Sequence, residues 1–214
     1  MEANKITLKT LAASIAAVLV METVFSPAMT GQTASPLAAL GLLRFLEIIV
    51  LVFIFLRFEK DPDAIGLSRS KIFPGIVKGL IWSACLGTAA GVLFLVLYIS
   101  GINPLKLVGS PLPSSPLQII IFFLVGGVIG PVGEEFFFRG IIYGFFRRWG
   151  VSVAISISTL LFVLPHQVGS NLPITQIVGG VLFAVAYEKE KSLMVPITIH
   201  ILGNLALFSL SLIN

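Results

Sequence analysis

The sequence predicts an all-α polytopic membrane helix bundle with seven transmembrane helices, and three observations predict it. First, 57% of the 214 residues are hydrophobic and only 11% are charged, against about 25% charged in soluble domains; the mean hydropathy is +1.04. Second, apolar runs near the roughly 20 residues needed to cross a bilayer recur along the chain. Third, the basic residues sit in the short connections between those runs, which is how membrane proteins fix their orientation. The formal charge of +4 and pI near 9.4 therefore do not indicate a nucleic-acid partner: no basic stripe with interleaved aromatics is present. The single Cys85 lies in an apolar run and reads as a small core residue.

The first span covers about 10–29, preceded by Lys5 and Lys9 and interrupted by Glu22. A charged start and apolar middle also suit a signal peptide, but further spans follow at once, so an uncleaved first helix is the expectation. The second covers 37–57, with Arg44 and Glu47 inside it. A charged loop from Arg57 to Lys78 contains the turn signal Asp61-Pro62-Asp63. The third covers about 79–99, and Gly101, Pro104, Pro111, Pro113 and Pro116 mark the loop after it. The fourth helical pattern runs from Leu117 to Phe146, about 45 Å of helix against a core of about 30 Å. It must tilt strongly or break near Gly126-Gly127 and Gly130-Pro131, where helices bend. The fifth runs from about 150 to Pro165-His166, the sixth from 173 to 187 and the seventh from 192 to 213. Residues 1–214 form one domain, without internal repeat.

With the N-terminus cytoplasmic, eleven Lys and Arg side chains fall on the inner face and only Lys106 on the outer one, while Arg44 and Arg139 lie within spans. This bias fixes an N-in, C-out arrangement. Splitting the fourth segment into two spans would move Arg147 and Arg148 outside and spoil it, so a single broken fourth segment is the expectation.

Within this framework one stretch stands out. Residues 131–140, Pro-Val-Gly-Glu-Glu-Phe-Phe-Phe-Arg-Gly, place Glu134, Glu135 and Arg139 in an otherwise apolar run. Each charge at the centre of a membrane helix costs about 2.5–3.5 kcal/mol on translocon scales and marks a functional site by default. His166, His200 and Asn204 are the strong candidate partners. Counted along helices from the basic ends, Arg139 lies about 12 Å deep, His200 about 13 Å, Glu134 about 20 Å and His166 about 25 Å, so one mid-membrane pocket can hold them all. Residues four apart share a helix face. Glu135 and Arg139 thus form an expected intrahelical ion pair, His200 and Asn204 point together, and Glu134 is left as the acid with no local partner.

A carboxylate crowded by a second acid and partly removed from water suits a general base. Glu134 in that role takes a proton from water held by His166, and His200 with Asn204 donates to the oxyanion of a tetrahedral intermediate. That set describes amide hydrolysis. Glu134, His166 and His200 could alternatively hold zinc with a water in the open position, although no His-Glu-x-x-His is present; no cofactor is otherwise called for. A proton-coupled transporter built on Glu22, Arg44, Glu47 and Glu134 lacks the repeat symmetry such folds show.

Glu134-Glu135-x-x-x-Arg139, Phe162-x-x-x-His166 and His200-x-x-x-Asn204, in that order on successive membrane helices with Phe-Arg-Gly closing the first, resemble the CPBP family of intramembrane proteases. These are the CAAX prenyl endopeptidases and the Abi-type bacteriocin-processing or immunity enzymes. The resemblance covers about residues 117–209, and the first 110 residues carry no motif. It implies an eight-helix core, a water activated by Glu134 with His166, an oxyanion hole of His200 and Asn204, and a site shaped by Glu135 and Arg139. Metallopeptidase-like and metal-free glutamate mechanisms are both attached to the family. It implies a membrane-associated, in some members lipidated, peptide substrate in the bilayer, and the short loops look like those of a prokaryotic plasma-membrane member. A membrane immunity or scaffold protein that binds such a partner without cutting it is the competing reading.

Overall fold

The computed structural model describes residues 6–31, 35–166 and 173–213, and among these the secondary structure is helical throughout. Seven helices make up the bundle: α1 (Leu8–Ala28), α2 (Pro36–Phe58), α3 (Arg69–Ile99), α4 (Pro116–Trp149), α5 (Val151–Val163), α6 (Ile174–Glu190) and α7 (Met194–Ser211). Five of them, α1 to α4 and α7, are long and apolar enough to cross a membrane; α5 and α6 are shorter. The chain is an integral membrane helix bundle.

Local chemistry sets the helix ends. Thr7 caps α1 by accepting from the Thr10 N–H at 3.3 Å, and Ser115 caps α4 in the same way through Gln118. Pro36 and Pro116 occupy the first turns of α2 and α4, where a missing N–H costs nothing. A single residue, Gly150 with φ 112°, connects α4 to α5, and only glycine adopts that backbone readily. After α5 a 3-10 turn, Leu164–His166, ends the helical path at Pro165.

Cys85, expected in the core, is exposed on α3, and two helices differ from the sequence expectation. α3 begins at Arg69, ten residues before the expected span, because the charges of that stretch find partners: Lys71 pairs with Asp63 at 2.6 Å and Lys78 with Glu190 at 2.8 Å. α4 is continuous, Pro116–Trp149, where a broken fourth segment was expected. It winds wider instead, as π-helix over Val125–Ile129 and again over Phe136–Tyr143. A π turn absorbs one extra residue without ending the helix.

The second half of α4 is the centre of the bundle. Every residue from Phe136 to Tyr143 is buried, Arg139 included. Around it close α2 through Leu51 and Phe55, α5 through Phe162 and α6 through Tyr187. Small residues let the helices approach. A Cβ on Gly41 would lie 2.5 Å from Val125, one on Gly133 3.1 Å from Ile48, and one on Gly79 2.6 Å from Thr198. The first two seat α2 on α4 and the third seats α3 on α7. The basic ends gather at one face, where Tyr187 Oη donates to the Ile65 carbonyl at 3.1 Å and Ser192 Oγ to that of Lys71 at 3.2 Å.

Gly79→Leu should therefore drive α3 and α7 apart, at the roughly 1–3 kcal/mol typical of an overpacked interface. Gly87→Leu, on the same helix with open space around it, should be silent. Thermal unfolding in detergent reads both, and equal Tm values for the two variants would contradict the packing.

Candidate functional site

Glu135 is fully buried, as is Arg139 one turn along α4. The guanidinium Nη1 donates to Glu135 Oε1 at 3.0 Å, forming the intrahelical pair expected from the spacing. Its Nη2 donates to the Gly180 carbonyl of α6 at 3.1 Å. The flat cation also lies against two rings, Phe162 at 4.6 Å and Phe183 at 5.3 Å, an arrangement that offsets lost hydration. Glu135 Oε1 has a second partner: His200 Nδ1, on α7, donates to it at 2.7 Å. The imidazole is held in place by stacking on Phe183 at 4.6 Å.

That contact orients His200. With Nδ1 spent on Glu135, Nε2 points to Glu134, whose Oε2 lies 3.8 Å away. The gap is too long for a direct hydrogen bond, and a single water about 2.8 Å from each atom can touch both. Glu134 keeps a quarter of its side chain exposed while Glu135 keeps none. The two adjacent acids thus have different tasks: one is locked in an ion network, the other is accessible.

Asn204, one turn beyond His200, donates through Nδ2 to the Gly126 carbonyl at 2.8 Å. The wide winding of α4 explains this bond. The Gly130 N–H reaches back five residues to Val125, so the next bond of that register would join residue 131 to Gly126. Residue 131 is proline and has no N–H. Gly126 is left with a free carbonyl, and Asn204 fills the place from α7. The second N–H of the amide remains for another acceptor.

His166 stands apart from this group. Its Nδ1 donates to the Phe162 carbonyl at 2.7 Å, which leaves Nε2 as the acceptor nitrogen. Phe162 lies between the two histidines, 4.9 Å from His166 and 5.9 Å from His200. Glu134, Glu135, Arg139 and His200 are thus in one contact network, Asn204 adjoins it on α7, and His166 borders it across a ring.

Three ionisable residues of the first two helices join the neighbourhood. Arg44 pairs with Glu47 at 2.8 Å and also with Glu22 of α1. Both Arg44 and Glu47 lie close enough to Glu134 to interact with it electrostatically. The sequence shows them as charges in apolar runs but gives no register between α2 and α4; the Gly133–Ile48 approach supplies it. Phe183 and the Gly180 carbonyl carry no such signal and emerge only from the packing. Two cavities, one at the basic face and one between α1 and α2, are lined by none of the predicted site residues.

The zinc alternative can be tested against this geometry. Among the described residues no three His, Cys, Asp or Glu side chains converge closely enough to hold a metal ion. Glu134 and His200 are neighbours, but His166 does not converge with them. As placed, Glu134, His166 and His200 do not fit a metal.

Comparisons with known proteins bear on this region. Residues 116–206 match the family model described as type II CAAX prenyl endopeptidase Rce1-like. The membrane-embedded CAAX protease MroQ of Staphylococcus aureus is 37% identical over 95 residues. That alignment covers 41% of this chain and 37% of MroQ, so the chain spans little more than a third of that relative. The candidate membrane peptidase YdiL of Bacillus subtilis is 26% identical over 176 residues, 77% of this chain and 68% of YdiL. No solved structure matches the chain significantly. The segment that carries Glu134, Glu135, Arg139, His166, His200 and Asn204 is thus similar to the Rce1-like CAAX prenyl endopeptidases.

Proposed function

We propose that the protein is an intramembrane endopeptidase that hydrolyses a membrane-associated peptide with a water activated by Glu134. The observation that carries this reading is the placement of His200 between two adjacent acids, Glu135 at 2.7 Å and the accessible Glu134 at 3.8 Å, in a segment matched to CAAX endopeptidases.

Glu134 takes a proton from the water, and the oxygen attacks the carbonyl carbon of the scissile amide. His166 is not gathered with Glu134 and His200, and its free Nε2 takes no part in this step. The oxyanion needs donors, and His200 Nε2 becomes one when the ring carries two protons, a charge that Glu135 Oε1 is placed to balance through Nδ1. The unused Asn204 N–H is the second donor. Collapse of the intermediate breaks the C–N bond, and the proton held by Glu134 passes to the leaving amine. Arg139 contacts no reacting atom; it holds Glu135 in position, and thus His200. No step requires a metal, in keeping with the separation of His166 from Glu134 and His200. The proposed orientation has the N-terminus and the basic face in the cytoplasm of a prokaryotic cell, following the charge bias. Peptides carrying a lipid near the cut are the first substrates to test, since the matched family and MroQ are named for CAAX proteolysis.

Glu134→Gln should lower cleavage of a responsive lipidated peptide by at least about a hundredfold, the scale of a positioned general base, with peptide binding kept. Binding and biological activity unchanged in Glu134→Gln would instead identify a non-hydrolytic immunity or scaffold protein. Dialysis against a chelator should leave cleavage intact, and its loss with recovery on adding zinc would overturn the metal-free scheme. A reporter fused after Ser211 should read outside the cell, and a cytoplasmic signal would refute the orientation.

A further inference from the structure

The ends of α1 and α2 meet at the basic face around a cavity of about 500 Å³ lined by Thr7, Leu8, Lys9, Arg57, Phe58 and Lys60. Its three cations are exposed. None of them pairs with a carboxylate among the described residues. Elsewhere on this face Lys71 has Asp63, Lys78 has Glu190, and Arg147 and Lys191 share Glu188, whereas Arg148 donates to backbone carbonyls and Lys189 lies over Trp82. Of the acids flanking Lys60, Asp61 accepts the Asp63 N–H at 2.9 Å, and Glu59 is already occupied. Its Oε1 accepts from the Thr7 N–H at 2.7 Å, from the Thr7 hydroxyl at 2.9 Å and from the Thr10 hydroxyl. Three cations are thus left without a counter-ion, and the neighbouring carboxylate does not supply one.

Backbone conformation adds a second observation. Lys60 has φ 62°, a left-handed conformation that usually belongs to glycine, and it closes α2 so that its side chain lines the cavity beside Arg57. Below the cations the surface is apolar: Leu8 is 66% exposed and Phe58 39%. A free inorganic anion has no use for such a floor. An amphiphile with a negative head does.

We propose that this cavity binds the phosphodiester headgroup of an anionic phospholipid, with Lys9, Arg57 and Lys60 around the phosphate and the acyl chains along the exposed apolar faces of α1 and α2. Basic pockets between membrane helices are suited to such headgroups. The site lies outside the segment matched to the endopeptidase family and does not depend on the catalytic scheme.

The full chain, purified in detergent with equimolar phosphatidylglycerol and phosphatidylcholine, is examined by native mass spectrometry for retained lipid. Phosphatidylglycerol should be retained about tenfold over phosphatidylcholine, and K9Q/R57Q/K60Q should bring the ratio close to one. R69Q/K189Q removes two other exposed cations of the same face and should keep the preference. Lys60→Gly removes one cation while suiting the backbone, and should lower the ratio about threefold without lowering the Tm, which covers the case of a triple variant that fails to insert. Equal retention of the two lipids by the unmodified protein would overturn the proposal, as would equal loss in R69Q/K189Q, the mark of diffuse attraction. Displacement of the lipid by millimolar inorganic phosphate would assign the cavity to free phosphate and overturn the lipid reading.

Discussion

One carboxylate oxygen holds the functional half of the bundle together. Glu135 Oε1 accepts from Arg139 on its own helix and from His200 on α7, and Arg139 carries the connection to the Gly180 carbonyl of α6 and the Phe162 ring of α5. Four helices are thereby fixed relative to one oxygen atom. Removing one partner from a buried ion pair costs about 3–5 kcal/mol because the survivor is left charged and dry. Glu134 escapes this network by a single position in the chain: about 100° of helix rotation separates a group committed to structure from one free to meet solvent.

Much of this arrangement can be read from the residues alone. Long apolar runs bounded by proline and basic residues give the helices, since few other structures satisfy backbone hydrogen bonds in lipid. The i, i+4 rule gives the Glu135–Arg139 pair because that contact depends only on helical geometry. Contacts between helices are another matter. His200 meets Glu135, and Arg44 comes near Glu134, only through the register of one helix on another; for α2 on α4 that register depends on the close approaches at Gly41 and Gly133. His166 shows the limit of depth as a guide. Its position along α5 allows contact with Glu134, yet its ring turns back to the Phe162 carbonyl and the Phe162 side chain stands between it and His200.

The wide turn of α4 was equally hidden. Gly126-Gly127 and Gly130-Pro131 announce a weakness in the helix, but not whether it breaks, bends or loosens. Proline at 131 removes one donor, the looser register frees the Gly126 carbonyl, and Asn204 repairs the loss from a neighbouring helix. Asn204 is therefore both a structural patch and the supplier of a spare amide proton beside His200. A single side chain serves both purposes because an amide carries two hydrogens.

The Glu135–His200 bond spans 65 residues of sequence, and this has a consequence for how the protein is made. During synthesis α4 leaves the ribosome, with two acids and one base, well before the histidine that completes its network exists. Until α7 arrives, this helix has an unfinished polar seam and gains little by settling among lipid tails. By then α2 has been made, and its Arg44 is a cation that interacts electrostatically with Glu134 in the finished bundle. The order of the helices along the chain thus puts the N-terminal half, which carries none of the motifs, in place before the half that does.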